Sequence, residues 1–253
     1  MKIVVPASWE ELTNFQQKAI IQIINEVNSD DFSSSYLKIV QVLLMKKHTL
    51  WQYLRMRCIL RKVSISAFEP AVKFLQEKPK LYTFPKIKGV LEPAPRIGDL
   101  TIEQFSLCDT LLYRYNEKKQ EVYLRQLVAC LYRLPDGRFD KNKLPEVAKL
   151  TDKISLQDAI RIGFIFSAIR IYIADAYPTI FINKKPEEDQ SLRPVFSTNK
   201  TFTPFSQIIV MMAADELRLL GNLRECQSTL VYDFLNAFVE SKKIHKIKQN
   251  AQK

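Results

Sequence analysis

Apolar residues recur at three- and four-residue spacing along most of this chain, the period of amphipathic helices packed on a core. Trp9, Leu12, Phe15, Ala19, Ile20, Ile23 and Ile24 form one such face, and Ser8 with Glu11 makes an S-x-x-E capping box ahead of it. A first helix over residues 9–27 is therefore predicted. After a polar break, the pattern predicts a second helix over Tyr36 to Lys46 and a third over Leu50 to Lys62. In the third, Trp51, Leu54 and Cys58 recur at helical spacing and are expected to be its buried stripe. Ser66 and Pro70 begin a short helix that ends near Glu77.

Between Lys78 and Gly98 the pattern changes. Pro79, Pro85, Pro93 and Pro95 deny a continuous helix, because proline lacks the amide hydrogen and crowds the preceding turn. Tyr82-Thr83-Phe84 and Ile87 to Leu91 suit short extended segments paired as a small β-hairpin. Helical periodicity resumes at Thr101, which forms a capping box with Gln104, and again over Val122 to Leu134. Pro135-Asp136-Gly137 reads as a turn. A short helix over Leu144 to Leu150 follows. Ser155 then caps a long one over Leu156 to Ala176, which Pro178 closes. Residues 183–203 are polar and read as an exposed loop. Thr203-Pro204 starts a helix over Phe205 to Leu220, and a last one covers Glu225 to Phe238.

The fold class that follows is all-α, a multi-helix bundle with a β-hairpin in the proline-rich stretch. Five glycines in 253 residues and 47% hydrophobic residues agree with that reading. Four segments are expected: a basic helical module over residues 1–78, an extended linker over 79–99, a helical body over 100–240 and a basic tail, frayed, over 241–253. Ile160 to Ile182 is the most apolar stretch. Arg161, Arg170 and Asp175 interrupt it, so it reads as a buried central helix and no membrane is implied. The N-terminal MKIVVPASWEEL does not read as a signal peptide. Cys58, Cys108, Cys130 and Cys226 sit singly in apolar helical contexts, as free thiols suited to a reducing cytoplasm.

Charge adds an asymmetry that periodicity does not show. Residues 32–91 hold twelve Lys or Arg against Glu69 and Glu77, a local charge of +10 in a chain of +11. Such a segment implies an anionic neighbour, whether nucleic acid, an acidic lipid surface or an acidic protein face, against the plainer reading of a solvated cationic surface. Lys46, Lys47, Arg55, Arg57, Arg61 and Lys62 are the residues expected to meet it. Tyr36, Trp51 and Tyr53 lie among them, where exposed rings could stack on bases.

Catalytic signatures are missing from the sequence. His48 and His245 have no carboxylate or cysteine nearby in the chain, and no pair has zinc-ligand spacing. The glycines are isolated, so no phosphate-cradling loop is formed. Glu187-Glu188-Asp189 is a carboxylate run that reads as solvated loop rather than cation ligand. No enzyme, metal or cofactor is expected.

The body carries a further pattern. Leu100-Thr101-Ile102-Glu103-Gln104-Phe105 opens a helix. The run Tyr123-Leu124-Arg125-Gln126-Leu127-Val128-Ala129-Cys130-Leu131-Tyr132-Arg133 and the Pro135-Asp136-Gly137 turn follow. Then come the long helix ending Ala176-Tyr177-Pro178 and a final pair ending Leu230-Val231-Tyr232-Asp233-Phe234-Leu235. This order resembles helical proteins encoded in tail and virion-assembly regions of Bacteroidota phages and prophages. The leucine–threonine start and the leucine–tyrosine–arginine are similar to tail assembly chaperones. The resemblance implies a non-enzymatic structural or assembly protein that binds other phage structural proteins, a tape-measure protein or a second copy of itself. It would act in the bacterial host cytoplasm during assembly, or in the virion. The alternative is a nucleic-acid-binding module built on residues 32–91.

Overall fold

Eleven α-helices and no sheet form among the residues that a computed structural model describes, 5–26, 32–137, 139–181 and 204–251. The all-α expectation holds. The chain divides into two compact units. The first comprises the chain up to Leu81 and Ser155–Ala168; the second comprises Tyr82–Ile154, the described residues from Ile169 and those from Pro204 onward. The long helix α8 (Leu156–Ala176) is thus shared between them. A boundary read along the chain could not assign its first half to the N-terminal residues, because that assignment rests on contacts about 150 positions apart, such as Arg161 with Gln17.

In the first unit, helix α1 covers Asn14–Glu26, later than the capping box at Ser8 and Glu11 predicts. The side chain of Glu11 does turn back, to the Ala7 amide at 2.9 Å, but the reciprocal cap forms at Thr13 and Gln16. Thr13 Oγ1 accepts from the Gln16 amide and Gln16 Oε1 accepts from the Thr13 amide. Trp9 and Leu12 are buried ahead of the helix proper, Trp9 resting edge-on against Phe74 and tilted on Phe164. Helix α2 (Phe32–Leu44) packs against α1, with Ile39, Val40 and Leu43 buried. Gln16 Nε2 donates to the Leu43 carbonyl, closing the C-terminal turn of α2. Helix α3 (Leu50–Lys62) follows, and short turns from Ile65 to Leu75 enclose α4 (Glu69–Val72).

The second unit opens with the proline-rich stretch, and here the expected hairpin is absent. Leu91 pairs with Arg133 instead, its amide 2.7 Å from the Arg133 carbonyl, in an isolated antiparallel bridge. Tyr132 donates to the Pro85 carbonyl and Phe84 packs edge-on to the Tyr132 ring. The extended chain therefore satisfies its polar groups and buries its apolar ones against the exit of a helix. A two-stranded hairpin standing alone is marginal in water.

Helix α5 (Ile102–Lys118) packs on α6 (Glu121–Leu131), and α6 on α7 (Leu144–Thr151). Thr101 caps α5 through the Gln104 amide, as expected. The Gln104 side chain, however, is buried and donates to the Cys130 carbonyl at 2.7 Å, joining α5 to the last turn of α6. Gly137, at φ +76°, closes the Pro135-Asp136 turn by donating to the Leu134 carbonyl. Ser155 caps α8 through the Asp158 amide, and the middle of the helix from Ala159 to Ile169 is buried throughout.

Three short-range expectations fail near the C-terminal end. Helix α9 stops at Ala214 (Phe205–Ala214), where Asp215 begins a turn that runs to Gly221. The predicted last helix is two: α10 (Leu223–Ser228), capped by an Asn222–Glu225 box, and α11 (Val231–Ala251). The break falls at Thr229-Leu230, where the backbone instead ties to the start of α5: Ile102 donates to Thr229 and Val231 to Leu100. The tail from Ser241 does not fray but continues α11, held by side-chain bonds to Asp215. The loop expected over 183–203, with its Glu187-Glu188-Asp189 run and the Thr203 cap, lies outside the described residues.

Candidate functional site

Helix α3 gathers most of the predicted basic residues. Thr49 starts it by accepting from the Gln52 amide, and it ends at Val63. Its inner side is narrow. Met56 and Ile59 are buried and Gln52, Leu60 and Val63 half-buried; at 3.6 residues per turn these share about a third of the circumference. The rest faces water: Leu50 and Trp51 are each 76% exposed, Leu54 48% and Tyr53 45%, and Cys58 is exposed too.

The expectation that Trp51, Leu54 and Cys58 form the buried stripe is thus overturned. Two stripes of α3 satisfy the same helical period, and the neighbouring charges separate them. Trp51 and Cys58 share their side of the helix with Arg55 and Lys62, and Leu54 lies beside Arg57 and Arg61. Burying that face would carry four cations into a core with no acid between Phe32 and Phe68 to pair them, a costly desolvation.

The outward face is therefore an apolar strip, Leu50, Trp51, Leu54 and Cys58, bordered by cations on both sides. Arg57 lies 5.9 Å from the centre of the Tyr53 ring, a cation–π distance that fixes one border. Lys46 and Lys47 are exposed on the connection between α2 and α3. That connection is pinned by Thr13 donating to the Lys46 carbonyl and by the Lys47 amide donating to Gln52. Among the described residues, none of the six predicted cations forms an ion pair. Four stand on one helix and two at its approach. Tyr36 is elsewhere, donating to the Ile65 carbonyl.

The two histidines have different surroundings. His48 packs edge-on against Phe15, with ring centres 6.0 Å apart. His245 meets a carboxylate that local sequence did not offer, Asp215, at 2.8 Å. The other Asp215 oxygen accepts from Ser241, and the Ser241 hydrogen bond is the largest influence holding this carboxyl below the usual carboxylate range. The serine hydroxyl bonds the carboxylate rather than the imidazole, the wrong order for a nucleophile–base pair. The arrangement clamps α11 to the end of α9. It was invisible in sequence because its members stand 26 and 30 positions apart.

Two arginines of the second unit are spent on packing. Arg170 bonds the buried carboxylate of Asp109, whose pKa burial pushes up while Arg170 opposes the rise. Arg133 bonds Asp99 and the Gly137 carbonyl. Cys108 and Cys130 are buried, and burial raises the Cys108 thiol well above its ordinary range. Among the described residues, no group of three His, Cys, Asp or Glu could hold a metal ion, and no helix is long and apolar enough to cross a membrane. No family model, curated protein or solved structure matches the chain.

Proposed function

We propose that this chain acts by binding rather than by catalysis, and that the outward face of α3 docks on an acidic protein surface bearing an apolar groove. The observation that carries the reading is the exposure of Leu50, Trp51 and Leu54 as a continuous strip between two borders of unpaired cations. An apolar centre with a charged rim, rich in tryptophan, tyrosine and arginine, is the anatomy of a protein–protein contact. The resemblance of residues 100–240 to tail and virion-assembly proteins supplies the setting: assembly of a phage or prophage particle, with a tape-measure protein or another structural subunit as partner.

Nucleic acid is the second reading, supported by Trp51 and Tyr53 standing exposed among Arg55, Arg57 and Arg61. It fits less well because Leu50 and Leu54 stand exposed in the strip beside Trp51, and leucine does nothing for a phosphate. The test is co-expression with the reading frames encoded beside this one, comparing the wild type with Trp51→Glu/Leu54→Glu and with Arg57→Glu/Arg61→Glu. A specific subunit should co-purify with the wild type and be lost from both variants. Retention of every partner by both variants would overturn the reading. So would binding to DNA or RNA alone, with a steep loss of affinity on the order of 10³-fold between about 50 and 200 mM salt.

A further inference from the structure

The most unusual backbone in the described residues lies in the second unit, where Arg96 and Ile97 stand consecutively at φ +57° and +56°. Neither is glycine, and a β-branched residue rarely adopts this left-handed conformation. The surroundings over-determine it. Arg96 donates its amide to the Tyr82 carbonyl, and its own carbonyl accepts from Tyr232 Oη at 2.8 Å. The Ile97 amide returns to Ala94, and the Ala94 amide donates to Asp99 Oδ1. The strained turn presents the exposed Arg96 guanidinium against a pair of touching rings, 5.2 Å from the centre of Tyr82 and 4.8 Å from that of Tyr172, the two ring centres themselves 5.5 Å apart.

Both rings lie within cation–π distance of the guanidinium, a contact that spends none of its N–H groups on a protein oxygen. Among the described residues nothing accepts a hydrogen bond from that side chain, whereas Arg125, Arg133 and Arg170 each spend theirs on protein oxygens. The Tyr177 and Tyr232 hydroxyls are spent, on Asn236 and on the Arg96 carbonyl. Those of Tyr82 and Tyr172 have no protein partner among the described residues.

We propose that Arg96, held against the paired rings of Tyr82 and Tyr172, is a binding site for one carboxylate group, supplied by an acidic side chain or a chain terminus of a partner. A planar fork whose orientation is already fixed loses little freedom when it takes a planar oxyanion in bidentate fashion. The paired rings offer one apolar surface beside the guanidinium to the carbon atoms attached to that group. Local charge selects a single negative charge over a phosphate dianion. Asp175 acts electrostatically on Tyr82, and Asp233 on Tyr177, at the margin of the same cluster. The site is independent of α3 and stands whether or not the docking reading does.

The test is nuclear magnetic resonance on the intact chain, following the Arg96 Nε–Hε signal. The titrants are N-acetylglycine, the side-chain carboxylate of N-acetylglutamic acid α-amide, N-acetylglycine amide and inorganic phosphate. Both carboxylates should shift the signal saturably, with affinity in the millimolar range that one charge-assisted fork supplies, and the neutral amide should not. The stronger of the two carboxylates identifies the source. Arg96→Lys keeps the charge but loses the fork and should weaken binding by about tenfold, as should Tyr172→Leu, which removes one ring. Equal binding to folded Arg96→Lys, followed on the neighbouring backbone amides, would overturn the site. Absence of saturation with either carboxylate, or tighter binding of phosphate, would overturn it as well.

Discussion

The two tryptophans give opposite forecasts although both fall on a helical apolar period, so they test the placement of α3 directly. Trp9 is 4% exposed and contacts Phe74 and Phe164; its replacement by alanine should cost about 3–5 kcal/mol through lost burial and the cavity left behind. Trp51 is 76% exposed. On a side chain of about 150–250 Å², that leaves roughly 110–190 Å² in water, or about 3–5 kcal/mol of hydrophobic gain not collected in the free chain. Trp51→Ala should therefore change stability by no more than about 0.5 kcal/mol. Urea denaturation followed by far-ultraviolet circular dichroism measures both values without relying on tryptophan emission. In a Trp9→Phe protein, Trp51 is the sole indole, one helical turn from Arg55 in a segment with no acid between Phe32 and Phe68, so anions concentrate beside it. Iodide should quench it more efficiently than caesium, and added salt of about 0.5 M should narrow the difference by screening. Equal destabilisation by the two alanine variants, or better quenching by caesium, would refute the outward placement of this face.

Three further outcomes follow from the packing. Arg170→Leu strands the buried Asp109 carboxylate and should cost about 3–5 kcal/mol at neutral pH. Because the folded-state pKa of Asp109 is already raised by burial and rises further without Arg170, that cost should shrink as pH falls and the carboxyl protonates, seen as converging denaturation midpoints. Ser241→Ala removes the main bond holding the Asp215 pKa down; its destabilisation should be present at neutral pH and vanish as pH falls through the depressed native pKa, read from paired acid titrations. Gly221→Ala places a methyl carbon 2.0 Å from Glu225 Oε2 at a φ of +75°, so it disrupts the α10 capping box and should lower stability by about 1–3 kcal/mol in thermal melts.

The helices and their caps were legible because their causes are local. The period placed α3, α7 and α8 nearly to the residue, and Thr101, Ser155 and Gly137 act where their chemistry predicts. The cationic run from Lys46 to Lys62 was legible too, since an acid-free interval of 37 residues is a property of composition. Trp51 was not. Periodicity measures only the angle between apolar side chains, and α3 carries two apolar stripes, so the contacts of Met56 and Ile59 with the rest of the unit chose between them.

By itself the sequence determined the helical class, most helix starts, the position of the cationic helix and the lack of a local catalytic motif, all set by neighbours within a turn or two. The tertiary structure alone decided the rest: which stripe of α3 faces water, that Leu91 pairs with Arg133 instead of folding back on Tyr82, and that Ser241 and His245 hold α11 in place through Asp215. It likewise brought Tyr172 and Tyr232 to Arg96, 76 and 136 positions away. Such pairings depend on which surfaces remain unburied after the helices have formed, and no local propensity encodes that outcome.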